Sequence, residues 1–171
     1  MLALAKEGST VLRFVTSWGL PILLILGIQH VASRGLLTER AAPELSGALV
    51  EGPMYAGLAL EQKPVLIYFW GSWCGVCKAM QGSITRVAED HRVISVALRS
   101  GSASDIRSYM EGQGFKVPTI PDPEGRIGEA YGVRGVPALF FLDQTGRIRT
   151  ATVGFTTEPG IRLRLWWLER S

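Results

Sequence analysis

The stretch FWGSWCGVCKAMQ, Phe69 to Gln81, holds both cysteines of a 171-residue chain. Cys74 and Cys77 are separated by Gly75 and Val76 and preceded by Trp73. Three readings are open for them: a redox pair, half of a metal site, or two small buried side chains. The flanks narrow the choice. Upstream, PVLIYFW is a continuous apolar run rich in β-formers, the pattern of a strand buried on both faces. Downstream, between Gly75 and Asp90, the residues Val76, Met80, Ile84, Val87 and Ala88 recur at helical spacing. The pair therefore falls where a strand hands over to a helix.

That placement has chemical consequences. Cys74 at a helix N-terminus lies beside backbone N–H groups without intrahelical partners and at the positive end of the dipole, and both favour a thiolate. Cys77 follows by nearly one turn, within reach of a disulfide. A nucleophilic thiol with a neighbour able to resolve its mixed disulfide is the minimum equipment for thiol–disulfide exchange. Lys78 adds positive charge nearby. A zinc site would ask for four ligands, so a second CxxC or a histidine pair should be present, and His30 and His91 do not form one. A purely structural bond across so short a loop would constrain little chain. No metal and no cofactor is expected, and Met80 is expected in the core rather than as a copper ligand.

The rest of the chain reads as an alternation. VISVAL is a second buried strand, and SASDIRSYMEGQG is a helix with a serine cap and a glycine stop. DPEGRIGEAYGV is a loop and short helix, PALFFLD a third strand, and DQTG a turn into RIRTATVGF, an alternating strand suited to a hairpin at a sheet edge. TTEPGIRLRLWWLER closes as a helix with Pro159 near its start and with Trp166, Trp167 and Leu168 expected on a packing face. The expected fold is α/β, a central mixed sheet flanked by helices.

Near the N-terminus, Phe14 through Ser33 contains no Asp, Glu, Lys or Arg. Twenty helical residues span roughly 30 Å, the thickness of a bilayer's hydrocarbon core. The expected organisation is a cytoplasmic N-terminus over 1–13, a transmembrane anchor over 14–33, a tether and lead-in segment over 34–60, and the domain proper over 61–171. A cleaved signal peptide is the competing reading, but QHVASRG offers a poor cleavage site. Lys6 and Arg13 before the span favour a cytoplasmic N-terminus and an external domain. The net charge of +3 comes from scattered residues, without the clustered basic stripe and interleaved aromatics of a nucleic-acid groove.

Two segments carry a family resemblance. VLIYFWGSWCGVCK resembles the active-site segment of thioredoxins, and YGVRGVPALFFLD resembles the segment containing their cis-proline. With the apolar N-terminal run, the chain is most similar to membrane-tethered, periplasm-facing TlpA-like disulfide oxidoreductases of the suppressor-for-copper-sensitivity protein D type. The resemblance implies a thioredoxin fold, with Cys74 as attacking thiol, Cys77 as resolving thiol and a cis bond before Pro137. It also implies a bacterial inner-membrane location with the domain in the periplasm, protein thiol or disulfide substrates, and a transmembrane thiol relay as electron source. Trp73, Gly75, Val76, Val136 and Pro137 are the candidate substrate-binding residues, since an extended segment can pair with the backbone at Val136 as an added strand.

The departures from the family pattern are specific. Thioredoxins commonly carry a buried acid six residues before the first cysteine, where this chain has Tyr68. Cytochrome-maturation relatives often carry Glu after the cis-proline, where this chain has Ala138. Alternatives to the exchange reading are a Cu(I)-handling module holding the ion between two soft thiolates, a cytochrome c maturation thioredoxin, and a thiol peroxidase, which would need an activating Thr and Arg around a lone cysteine.

Overall fold

The computed structural model describes residues 40–57 and 63–170, together with the isolated helical positions Gly19, Pro21, Leu24 and Gly27. The chain divides into two units, Met1–Arg34 and Gly35–Ser171. Apart from those four positions, the expected anchor over 14–33 lies outside the described residues. Among the described residues, no helix is long and apolar enough to cross a membrane.

The second unit is organised around strand β4, Val65–Trp70, all six of whose residues are buried. A strand reads as continuously apolar only when both its faces are covered, and here they are. Leu66, Tyr68 and Trp70 belong to one core, while Val65, Ile67 and Phe69 belong to the other. On the first face lie helices α1 (Gly75–Asp90), α2 (Ala103–Gln113) and α4 (Glu158–Leu168), through Cys77, Met80, Ile84, Val87, Ile106, Met110, Ile161, Leu165 and Leu168. On the second lie Tyr131, just after the short helix α3 (Arg126–Ala130), and Leu45 from the N-terminal part of the unit. Each fully buried Leu, Ile or Phe in these layers contributes about 1.5–3 kcal/mol by leaving water.

Strand β4 pairs in parallel with β5 (Arg92–Leu98) and antiparallel with β7 (Ala138–Leu142). Strand β7 turns back into β8 (Arg147–Val153) antiparallel, with a register irregularity between Phe141 and Leu142. A further strand, β6 (Thr119–Asp122), pairs in parallel with β5. Sequence reasoning leaves this strand out, because TIPD lies among three prolines. A proline has no ladder donor and is tolerated at a sheet edge, and β6 is the edge.

Within the stretch 34–60, read from sequence as tether and lead-in, the described residues 40–57 contribute to the same fold. Strand β1 (Arg40–Ala41) pairs with β8, so β8 is not an edge, and the six-stranded order is β1-β8-β7-β4-β5-β6. The chain then crosses the second face. Leu45 is buried there, and Tyr131 donates its hydroxyl to the Pro43 carbonyl at 2.8 Å. Strands β2 (Gly47–Ala48) and β3 (Met54–Tyr55) form a small hairpin. Between them, Val50 donates its N–H to the Thr119 carbonyl on the opposite edge strand at 2.8 Å. Residues 40–55 are thus a strap from one edge of the sheet to the other. The compact unit that includes it runs from Gly35.

Candidate active site

The site grows from the C-terminal end of β4. Strand β4 stops at Trp70, and Cys74 donates its N–H to the Gly71 carbonyl at 3.0 Å, closing a turn that delivers the first cysteine to the start of α1. Gly71 is required by close approach: a Cβ there would lie 2.6 Å from the Trp73 ring. Two bonds to the end of β5 and the loop after it brace the turn. Ser72 donates its N–H to Ser100 Oγ at 3.0 Å, and Trp73 donates its indole N–H to the Leu98 carbonyl at 3.3 Å.

Cys74 is the N-cap of α1, a position usually held by Ser, Thr, Asp or Asn. Its sulfur accepts from the Cys77 backbone N–H at 3.1 Å. No acidic residue occupies the first turn of α1, so nothing there offsets the positive end of the helix dipole. That end is worth about 0.3–1 kcal/mol to an adjacent anion. Cys74 and Cys77 form a disulfide, with Cα atoms 5.2 Å apart. The two sulfurs differ in access: Cys74 is 8% exposed and Cys77 0%.

The bond between Val136 and Pro137 is cis. The Val136 carbonyl oxygen lies 3.7 Å from Cys74 Sγ, sixty-two positions away in sequence. The candidate binding residues therefore gather around one sulfur. Trp73 (62% exposed), Gly75 and Val76 form one rim, with half-buried Val136 and buried Pro137 on the other. Lys78 is exposed on α1.

Behind the pair, Tyr68 is buried and donates its hydroxyl to the Cys77 carbonyl at 3.2 Å. Burial, and secondarily Tyr109, push the Tyr68 phenol well above its ordinary range. The group standing where thioredoxins commonly have an acid is therefore a neutral donor at physiological pH. One turn beyond Cys77, Gln81 is buried, accepts at 3.4 Å from Tyr109 through Oε1, and has no partner for Nε2 among the described residues. Its polarity within an otherwise apolar helical face was the available sequence signal. Met80 is buried in the core. His91 caps the end of α1 and faces Glu169 at 3.2 Å, and His30 lies outside the described residues. Among the described residues, no group of three or more His, Cys, Asp or Glu side chains is arranged to hold a metal ion.

The model of the AhpC/TSA family matches residues 38–151, from the strap through β8. The chain belongs to the AhpC/TSA family. Among relatives of this AhpC/TSA-family protein, a thioredoxin-like protein of Haemophilus influenzae is 34% identical over 122 residues, 70% of this chain and 72% of the relative. The thiol:disulfide interchange protein DsbE of Pseudomonas aeruginosa is 33% identical over 107 residues, 62% of this chain and 59% of that protein. The pneumococcal exposed lipoprotein thioredoxin Etrx1 of Streptococcus pneumoniae superposes with a TM-score of 0.67 at 28% identity, covering 74% of this chain and all of that structure. The fold is that of thioredoxin, and with a disulfide-forming pair at the tip of its first described long helix the protein is a thioredoxin-like protein disulfide oxidoreductase.

Proposed function

We propose that this protein exchanges disulfides with protein thiols outside the bacterial cytoplasm, held to the inner membrane by the apolar segment Phe14–Ser33 and reset by a transmembrane thiol relay. The observation that carries the chemical assignment is the asymmetry of the pair: Cys74 is reachable from solvent, hydrogen-bonded at a helix N-terminus and beside the Val136 backbone, while Cys77 is enclosed. In the reduced protein, the Cys74 thiolate attacks a substrate disulfide. One substrate sulfur leaves as a thiolate and takes a proton from solvent, and the other is bound to Cys74. Cys77, deprotonated, then attacks Cys74 Sγ, expels the second substrate thiol, and leaves the Cys74–Cys77 disulfide. Two electrons have passed to the substrate, and a dithiol donor restores them. With the direction reversed, the same steps oxidise a substrate dithiol.

Trp73, Gly75, Val76, Val136 and Pro137 form the proposed surface for an extended substrate segment, with Val136 offering main-chain pairing. The apolar run of twenty residues and the positive residues before it support the anchor and its orientation.

Replacing Cys74 by Ser is expected to abolish dithiol turnover, and Cys77→Ser to accumulate mixed disulfides with substrates, visible as adducts on non-reducing gels. Equal residual turnover in both variants sinks the assignment. The reduction potential then sets the direction: near about −270 mV the pair is a reductant, near about −120 mV an oxidant.

A further inference from the structure

Beside the cysteine pair, on the Trp73 side, lies a groove of about 560 Å³. Trp73 and Leu98 form one wall and the loop Gly132–Gly135 another, so the groove ends one residue short of Val136. It is lined by two guanidiniums, Arg99 and Arg134, and by one carboxylate, Glu129. Neither guanidinium has an ion-pair or side-chain hydrogen-bond partner among the described residues. The nearby Glu124 is already engaged by Arg126. The groove is therefore net positive.

Arg99 is also held in place. It is the one non-glycine residue with positive φ among the described residues, at 48°, a conformation that side-chain-bearing residues adopt only when their surroundings impose it. Its N–H donates to the Asp122 carbonyl at 2.9 Å. Its guanidinium lies so close over Gly125 that a Cβ there would sit 3.0 Å from Nε. Gly125 itself has φ 81°. A left-handed arginine laid across a left-handed glycine thus places an exposed cation in the groove beside Trp73.

We propose that this groove selects substrates carrying Asp or Glu two or three residues from the reacting cysteine, with Arg99 and Arg134 receiving the carboxylate. The register follows from the loop. Arg134 lies two residues before Val136, so if the substrate cysteine lies at Cys74 and its extended backbone runs along Val136 and this loop, the residue two positions away, about 6–7 Å on, is the one that faces Arg134. A Cβ at Gly135 would meet nothing within 4 Å, which leaves room for the passing main chain. The inference rests on the exchange reading above and names the substrate class for the same site.

The test uses the reduced full chain and short peptides whose single cysteine is linked to a chromogenic aromatic thiol, with Glu, Gln or Lys at the second position on either side. At low salt the second-order rate is expected to favour Glu over Gln by about five-fold, the size an exposed ion pair allows. The preference falls towards unity at about 0.5 M salt, where exposed charges are screened. It collapses in the R99G/R134A double variant, in which glycine at 99 keeps the left-handed backbone without strain. In the R99E/R134E double variant the preference passes to the Lys peptide. Equal rates for the Glu and Gln peptides in the unmutated protein, or a preference that survives in the R99G/R134A double variant, overturns the inference while leaving the exchange reading intact. Failure to react with every peptide strikes the exchange reading itself.

Discussion

At the scale of single residues, the space behind the cysteines departs most from what the family pattern leads one to expect. The position of the commonly buried acid holds Tyr68, whose hydroxyl is spent on the Cys77 carbonyl. With its phenol driven upward by burial, Tyr68 fixes the first turn of α1 and takes no proton near neutrality. Gln81 is the other polar group there. A buried amide nitrogen without a partner costs about 1–3 kcal/mol, while its one bond, 3.4 Å from Tyr109, is long. Methionine has nearly the same volume and no such donor. Gln81→Met is therefore expected to stabilise the oxidised protein by about 1 kcal/mol, read as a rise in the urea midpoint at constant slope. A fall of that size instead would show that Nε2 is satisfied in solution.

Between elements, helices α1 and α4 are joined by charge as well as by apolar contact. Arg86 of α1 reaches Glu158 at 2.8 Å, and Arg162 of α4 reaches both Glu158 at 3.0 Å and Asp90 at 2.7 Å. Hydrogen bonds from Arg162 and then Arg86 hold the Glu158 carboxyl below its usual range. A carboxyl depressed in the folded state adds stability that is complete above its unfolded value, near about 4.3, and is lost as pH falls through the lower folded value. The unfolding midpoint of Glu158→Gln is thus expected to fall less steeply between about pH 5 and pH 2 than that of the unmutated protein. Parallel curves across that window would mean that the cluster adds nothing to the joint. The same helix shows where residue type misleads. The apolar run at its end suggests a packing face, yet Trp166 and Trp167 are 48% and 52% exposed while Leu168 is buried. Only one side of α4 meets the sheet, and the inward positions are Ile161, Leu165 and Leu168.

For the molecule as a whole, the strap 40–55 makes the second face a core rather than a surface. Leu45 fills that face together with Ile67, Phe69, Tyr131 and Phe140, and the rings of the last three pack against one another. Leu45→Ala is expected to cost about 2–5 kcal/mol. Because both faces share β4, the loss should lower one common transition, with tryptophan fluorescence and far-ultraviolet circular dichroism still coincident. A loss below about 0.5 kcal/mol would return residues 40–55 to the status of a loose tether.

Much of this was legible in the one-dimensional chain because it is local. The all-apolar run of β4, the 3.6-residue periodicity of α1, the serine and glycine that bound α2, and two cysteines at a strand-to-helix junction each carry their signal within a few residues, where backbone sterics and solvent alone set the preference. The strand Thr119–Asp122 was hidden because its prolines argue against pairing unless an edge is available, and edges exist only in an assembled sheet. The strap was hidden because two-residue strands have no periodicity, and Leu45 is a core residue only once Tyr131 and Ile67 lie beside it. The meeting of Val136 with Cys74, and of two arginines from separate loops with Trp73, likewise required the chain to fold back over more than twenty residues. Sequence by itself determined the reactive pair and the elements that bear it; tertiary structure alone decided what surrounds that pair, because proximity between distant residues is a property of the closed sheet and not of the spacing along the chain.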